Sequence, residues 1–86
     1  MEERIIDCSQ IHTKEDLHRI FREALSFPDW YGSNLDALHD SLTELTGKVR
    51  LINWEIAENR LGAYGAKAKK AIAAAALRNT GLDLYI

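Results

Sequence analysis

Asp36 and Asp40 stand four residues apart in WYGSNLDALHD, residues 30–40, with His39 beside the second and no lysine or arginine in the stretch. Three chemistries use such groups. Two carboxylates can divide the roles of general acid and general base, but only where a cleft pushes their pKa values apart. Carboxylates with a histidine can hold a metal ion. Carboxylates beside aromatic rings can also receive the cations of a partner, through charge-assisted hydrogen bonds to the carboxylates and rigid apolar contact with the rings. At 100° per residue a helix over this stretch places Asp36, Asp40 and Thr43 on one side, flanked by His39 and Glu44. Asp36 and His39 come close on such a helix, but His39 and Asp40 diverge, and no further histidine or cysteine follows at ligand spacing. Neither a metal nor another cofactor is therefore expected. An exposed helix face in an 86-residue chain offers no cleft for acid–base work, so no catalytic residue is expected either.

Binding remains, weighed against a solvated face that simply tolerates the repulsion. Like charges at i and i+4 cost a helix about 0.2–0.5 kcal/mol, which a surface can bear. The aromatics favour binding, because Trp30 and Tyr31 lie on the loop directly before the helix. Tyr31 has an equal claim to pack inward, and Gly32 is read as supplying the loop's unusual backbone angle.

Charge is uneven along the chain although the net value is only -2. Between Arg22 and Lys48 the acids Glu23, Asp29, Asp36, Asp40 and Glu44 meet no lysine or arginine. From Lys48 onward the bases Lys48, Arg50, Arg60, Lys67, Lys69, Lys70 and Arg78 outnumber Glu55, Glu58 and Asp83. A partner that recognises one face is implied. Lys67, Lys69 and Lys70 would be the grip of a nucleic-acid-binding alternative, but three lysines among alanines read as a solvated helix face, and the acidic face repels nucleic acid. Composition is that of one globular domain over residues 1–86, with 47% hydrophobic and 28% charged residues. A single cysteine, Cys8, excludes an internal disulfide and a cysteine-rich zinc site and suits a reducing compartment. The charged start MEERIID lacks the apolar core of a signal peptide, and AIAAAAL, residues 71–77, is too short to span a membrane. A cytoplasmic protein is expected.

The elements that must position the acidic face follow from spacing. Arg4 to Asp7 reads as a strand. Thr13 and Asp16 resemble a capping box, and Leu17, Ile20, Phe21, Ala24 and Leu25 then repeat as one helical stripe that ends before Pro28. His12 and His18 read as surface residues. The only loop with both proline and glycine is SFPDWYGS, residues 26–33. Ser33 is read as the cap of the next helix, whose buried stripe is Leu35, Leu38, Leu42 and Leu45. Residues 48–53 form a second strand, Trp54 to Leu61 a short helix stopped by Gly62, and about Tyr64 to Asn79 an alanine-rich helix with Gly81 as its left-handed cap. Residues 82–86 form the last strand. Strands separated by helices require parallel pairing and right-handed crossovers, which predicts an α/β fold: a three-stranded parallel sheet packed with about four helices.

WYGSNLDALHDSLTE resembles the YYGxNLDALWDCLTG stretch of the barstar family, intracellular inhibitors of the secreted ribonuclease barnase. The N-terminal strand, IHTKEDLHRIFREALSFP and the closing GLDLYI occur in the same order and at similar spacing. The resemblance implies a barstar-like inhibitor, not an enzyme, that plugs a ribonuclease active site with the second helix and the loop before it. It would be a monomer when free and a 1:1 heterodimer with its target. Asp40 would enter the enzyme's phosphate pocket and Asp36 would bond a neighbouring base. Trp30 would pack on the catalytic histidine, with Tyr31, Gly32, Asn34, Leu35 and Thr43 adding loop and helix contacts. Three positions depart from the pattern: His39 replaces a tryptophan, Glu44 a glycine, and Ala76 an acid on the last helix. An alternative within the same resemblance is an immunity or interaction protein for a different toxin.

Overall fold

The computed structural model describes residues 3–86; Met1 and Glu2, which open the charged N-terminal stretch, lie outside the described residues. In chain order the elements are β1 (Glu3–Asp7), a 3-10 turn (Cys8–Gln10), α1 (Lys14–Leu25), α2 (Leu35–Thr43), β2 (Gly47–Ile52), α3 (Trp54–Leu61), α4 (Ala63–Arg78) and β3 (Leu82–Tyr85). The strands are parallel in the order β1-β2-β3. This is the α/β architecture of three strands and four helices that the element order predicts.

Two right-handed crossovers that advance in the same direction across a sheet put their helices on the same face. Burial follows that rule. Ile6, Val49, Leu51 and Leu82 point into the core, whereas Ile5, Arg50 and Tyr85, which share one register row, are exposed. The covered face meets Leu17, Phe21 and Leu25 of α1, Leu38 and Leu42 of α2, Trp54 and Ala57 of α3, and Ala68, Ile72 and Ala75 of α4 in one core. Cys8 is fully buried in it, and burial pushes its thiol up to about 12, so it is an inert packing residue.

α1 begins as its sequence directs. Thr13 Oγ1 accepts from the backbone N–H of Asp16 at 3.1 Å, and Asp16 Oδ2 in return accepts from the N–H of His12 at 3.1 Å. The reciprocal bond thus closes one residue further out than in the usual capping box. Ile20 and Ala24 are partly buried beside Leu17, Phe21 and Leu25. His18 is not a surface residue: it is 3% exposed. Its spacing to Phe21 and Leu25, i+3 and i+7, sets it on the apolar stripe, and two tyrosine hydroxyls satisfy its ring.

Between α3 and α4, Gly62 takes φ 60°, ψ −128°, a conformation open essentially to glycine alone. The stop at Gly62 is therefore a backbone requirement. α4 packs most extensively against α2 and α3. The end of α4 differs from expectation. Gly81 does not adopt a left-handed conformation; Asn79 ends the helix with φ −115°, ψ 96°, and its side chain does the capping work. The amide nitrogen of Asn79 donates to the carbonyls of Leu42 and Leu45, and its Oδ1 accepts from the N–H of Gly81.

Candidate functional site

The loop before α2 is shaped by two residues in the left-handed region, Ser26 at φ 57° and Ser33 at φ 51°. Between them the N–H of Tyr31 donates to the carbonyl of Pro28 at 2.9 Å. Asn34, not Ser33, caps α2: its Oδ1 accepts from the N–H of Ala37 at 2.8 Å while its Nδ2 donates to the carbonyl of Gly32 at 3.2 Å. An asparagine can close the helix and brace the loop with one side chain, which a serine hydroxyl cannot do with the same reach. Space and not φ favours glycine at position 32. A Cβ there would lie 3.2 Å from Asn34 Nδ2 and 3.4 Å from the Cβ of Ala37, inside the cap itself.

α2 is anchored by Leu38 and Leu42, both fully buried, with Leu35 and Ala37 partly buried against the core. That anchoring turns Asp36 and Asp40 to solvent. Thr43 Oγ1 donates back to the carbonyl of Asp40 at 2.6 Å, so its hydroxyl stiffens the last turn. Glu44 lies just beyond it and is exposed. His39 is half-buried, with Nδ1 3.4 Å from Asp40 Oδ1. Among the described residues no lysine or arginine reaches Asp36 or Asp40, although acids elsewhere are paired, as Asp16 is with Arg19 at 3.0 Å and Glu3 with Arg50 at 3.1 Å. Asp36 in the first turn of α2 is favoured by the helix dipole, but Asp40 in the last turn opposes it, and α2 has no basic residue there.

Trp30 is 85% exposed. Its ring walls a shallow groove of about 350 Å³ whose rim carries Pro28, Asp40, Ser41 and Glu44. An exposed indole and two carboxylates that line one groove are the kinds of group that can receive a basic side chain. The structure thus gathers Trp30, Asp40 and Glu44 in one place, with Asp36, His39 and Thr43 along the same helix. Tyr31 stands apart from them. It is 7% exposed, packs on Phe27 at 5.1 Å between ring centroids, and directs its hydroxyl to His18 Nδ1 at 2.6 Å. Of the two readings open to it, Tyr31 takes the core. Asn34 likewise spends both ends of its amide on its own loop and helix.

Spacing gave no sign of a cluster under this loop. His18 Nε2 lies 2.6 Å from the hydroxyl of Tyr64 at the start of α4, so His18 bridges two tyrosines from two other parts of the chain. Burial lowers the pKa of His18 and raises those of both tyrosines, keeping all three groups neutral. Lys67, Lys69 and Lys70 are exposed on α4. Among the described residues no three histidine, cysteine, aspartate or glutamate side chains could together hold a metal ion. Among them, too, no helix is long and apolar enough to cross a membrane.

A protein with this sheet, this order of helices and this outward-facing acidic helix has a known kind. The family model described as Barstar (barnase inhibitor) matches residues 1–85, and the chain belongs to the barstar family. It is also similar to the protein of Bacillus subtilis (strain 168) named "Putative ribonuclease inhibitor YrdF". The two are 42% identical over 67 residues, which cover 74% of this chain and 74% of that one.

Proposed function

We propose that this protein is a cytoplasmic inhibitor of a barnase-like ribonuclease, which it blocks as a 1:1 complex by seating α2 and the loop of residues 28–33 in the enzyme's active site. A ribonuclease must present cations to the phosphates of its substrate. Asp36 and Asp40 offer carboxylates to those same cations and take the place of RNA phosphate, so inhibition is by occlusion and this chain carries no catalytic group. Trp30 adds a flat apolar surface beside Asp40, and Glu44 extends the charge. Gly32, Asn34, Leu35, Thr43 and the buried Tyr31 hold the loop and helix in the shape that presents these groups. His39 contributes a smaller contact than the tryptophan of the family pattern.

The observation that carries this reading is the exposure of Asp36 and Asp40 with, among the described residues, no lysine or arginine beside them. Family membership and the name of the Bacillus subtilis relative support it. The test is a titration of barnase with this protein in an RNA-cleavage assay. Activity should fall linearly to zero at one inhibitor per enzyme, and Asp40→Ala should weaken inhibition without unfolding the protein. Full activity at a large molar excess of the wild-type chain would refute a barnase-like target. His39 and Glu44 favour a second reading of the same face, in which the target is a different toxin with its own basic cleft. Capture of a secreted toxin from the producing cell, with no effect on barnase, would support it.

A further inference from the structure

Of residues 28–33, which carry Trp30 into position, only Tyr31 is buried. It also ties the loop to two helices through its hydroxyl. The hydroxyl of Tyr31 meets His18 Nδ1 on α1, and His18 Nε2 meets the hydroxyl of Tyr64 on α4, each at 2.6 Å.

Counting protons fixes who donates. Neutral imidazole has one N–H and one lone pair, and each tyrosine brings one O–H. Among the described residues, the Tyr31 hydroxyl has no acceptor but His18 Nδ1, and a buried hydroxyl proton without an acceptor is costly. Tyr64 is different. Both tyrosines line an open groove of about 570 Å³, but Tyr31 is 7% exposed whereas Tyr64 is half-buried, so it is the Tyr64 proton that can go to water. Tyr31 O–H therefore donates to Nδ1, Nε2–H donates to the Tyr64 oxygen, and the ring is the Nε2–H tautomer. A second proton on the ring would land on Nδ1, and the Tyr31 hydroxyl would then have to turn its own proton away from the ring, where no other side chain or carbonyl among the described residues accepts it.

We propose that His18 is a positioning residue of the binding loop: neutral, it holds Tyr31 and with it Trp30 in place, and protonated, it releases Tyr31 and loosens residues 28–33. The loop would thus lose its shape on mild acidification, and the effect on target binding rests on the function proposed above. The groups facing the ring do not reverse this. Glu15 on α1 favours the charged form, Lys14 on α1 opposes it, and removal from water outweighs both. The loop and α4 contribute Tyr31 and Tyr64, both neutral in this range. Further out, Arg19 is paired with Asp16 at 3.0 Å and Arg22 with Asp29 at 3.8 Å.

The decisive measurement uses the free, isotope-labelled protein and needs no target. Imidazole nitrogen NMR should show His18 as Nε2–H at pH 8; an Nδ1–H ring would overturn the assignment and the release mechanism with it. The amide of Tyr31, bonded to the carbonyl of Pro28, should lose hydrogen-exchange protection several-fold as His18 titrates. In Tyr31→Phe that protection should already be low at pH 8 and should no longer vary with His18. Tyr64→Phe, with water replacing its oxygen, should keep it. Circular dichroism confirms that each variant is folded. Wild-type protection of the loop in Tyr31→Phe, or protection indifferent to His18 titration, would sink the proposal. Affinity for barnase is then measured over the same pH range. Loop loosening without any ribonuclease binding keeps the clamp and rejects the inhibitor; binding with an unresponsive loop does the reverse.

Discussion

The side-chain nitrogen of Asn79, one residue past α4, lies 2.9 Å from the carbonyl oxygen of Leu42 in the last turn of α2. The same nitrogen serves the carbonyl of Leu45, and Asn79 Oδ1 accepts from the N–H of Gly81. One amide therefore satisfies the end of the helix that carries Asp40 and fixes the approach to β3. Helix C-termini leave carbonyls without partners, and here the cap comes from 34 to 37 residues away in sequence. Asn79→Ala should cost about 1–3 kcal/mol by urea unfolding, the penalty of part-buried polar groups left without a partner. A change within error would mean that water replaces the amide fully.

Asp36 and Asp40 should respond in opposite senses in the free protein and in the same sense on binding. Neutralising Asp36 removes a favourable charge from the first turn of α2, whereas neutralising Asp40 removes an unfavourable one from the last. Asp36→Asn should lower stability, and Asp40→Asn raise it, by about 0.3–1 kcal/mol each at low salt. Both should weaken ribonuclease binding, by about 1.5–3 kcal/mol for each charge-assisted hydrogen bond lost. Stability and affinity measured on the same two variants would check this, and destabilisation by Asp40→Asn would show that the fold uses this charge itself.

Stability should fall on mild acidification through His18. Its folded pKa lies below the ordinary histidine value of 6.5, so below that pH the unfolded chain binds more protons than the folded one. The contribution is whole above about pH 6.5 and declines as the pH drops toward the lowered folded value. Asp7 and Asp16 also have lowered pKa values, the first chiefly through its hydrogen bond from Ser9 and the second through that from Arg19. Their contributions are present above the ordinary aspartate value of 3.8 and are lost only in stronger acid, as the pH falls toward the folded values. Urea midpoints should therefore drop between pH 7 and 5 in the wild type. A flat profile there would contradict the burial of a neutral imidazole.

Gly65 gives a test in which packing opposes propensity. In the interior of a helix, alanine normally gains about 1 kcal/mol over glycine. Here a Cβ would stand 2.7 Å from the carbonyl oxygen of Glu58 and 2.8 Å from its Cα, both backbone atoms of α3. Gly65→Ala should therefore destabilise, by about 1–3 kcal/mol for an overpacked contact. A stabilised variant would mean that α3 and α4 can part without cost.

Periodicity carried the reading of the fold wherever one residue type served one purpose. The stripe from Leu17 to Leu25 and the alternation of strands with helices reappear as drawn; of the leucines expected on α2, Leu38 and Leu42 are buried, Leu35 is partly buried, and Leu45 is partly buried beyond the end of the helix. Two of the misses share a cause: a polar residue whose partner lies far along the chain. His18 meets Tyr64, 46 residues away, so its place on an apolar stripe was outvoted by its polarity. Gly81 was given the work that Asn79 performs, because the acceptors of Asn79 sit on another helix. Ser33 and Asn34 are both good caps, and only the second bond of Asn34, to Gly32, separates them. The acidic face was legible because its meaning is an absence: no lysine or arginine stands near Asp36 or Asp40 in sequence, and among the described residues none is brought there by folding.

Trp30 and Tyr31 are neighbours with opposite exposures, 85% and 7%, and this makes the last prediction sharp. Trp30 touches little of its own fold, so Trp30→Ala should leave the urea midpoint within about 0.5 kcal/mol of wild type, as surface changes do. It should still weaken ribonuclease binding, because the exposed ring beside Asp40 is then missing from the groove. The second tryptophan, Trp54, is 2% exposed and donates Nε1–H to Glu58 at 2.8 Å. Its fluorescence should be indifferent to a partner seated on α2, whereas that of Trp30 should shift toward the blue as water leaves the indole. In a Trp54→Phe background, a ribonuclease that binds without moving the emission of Trp30 would place the contact elsewhere on the molecule. The same experiment with Trp30→Phe should show Trp54 silent, so the two signals assign the docking face without a structure of the complex.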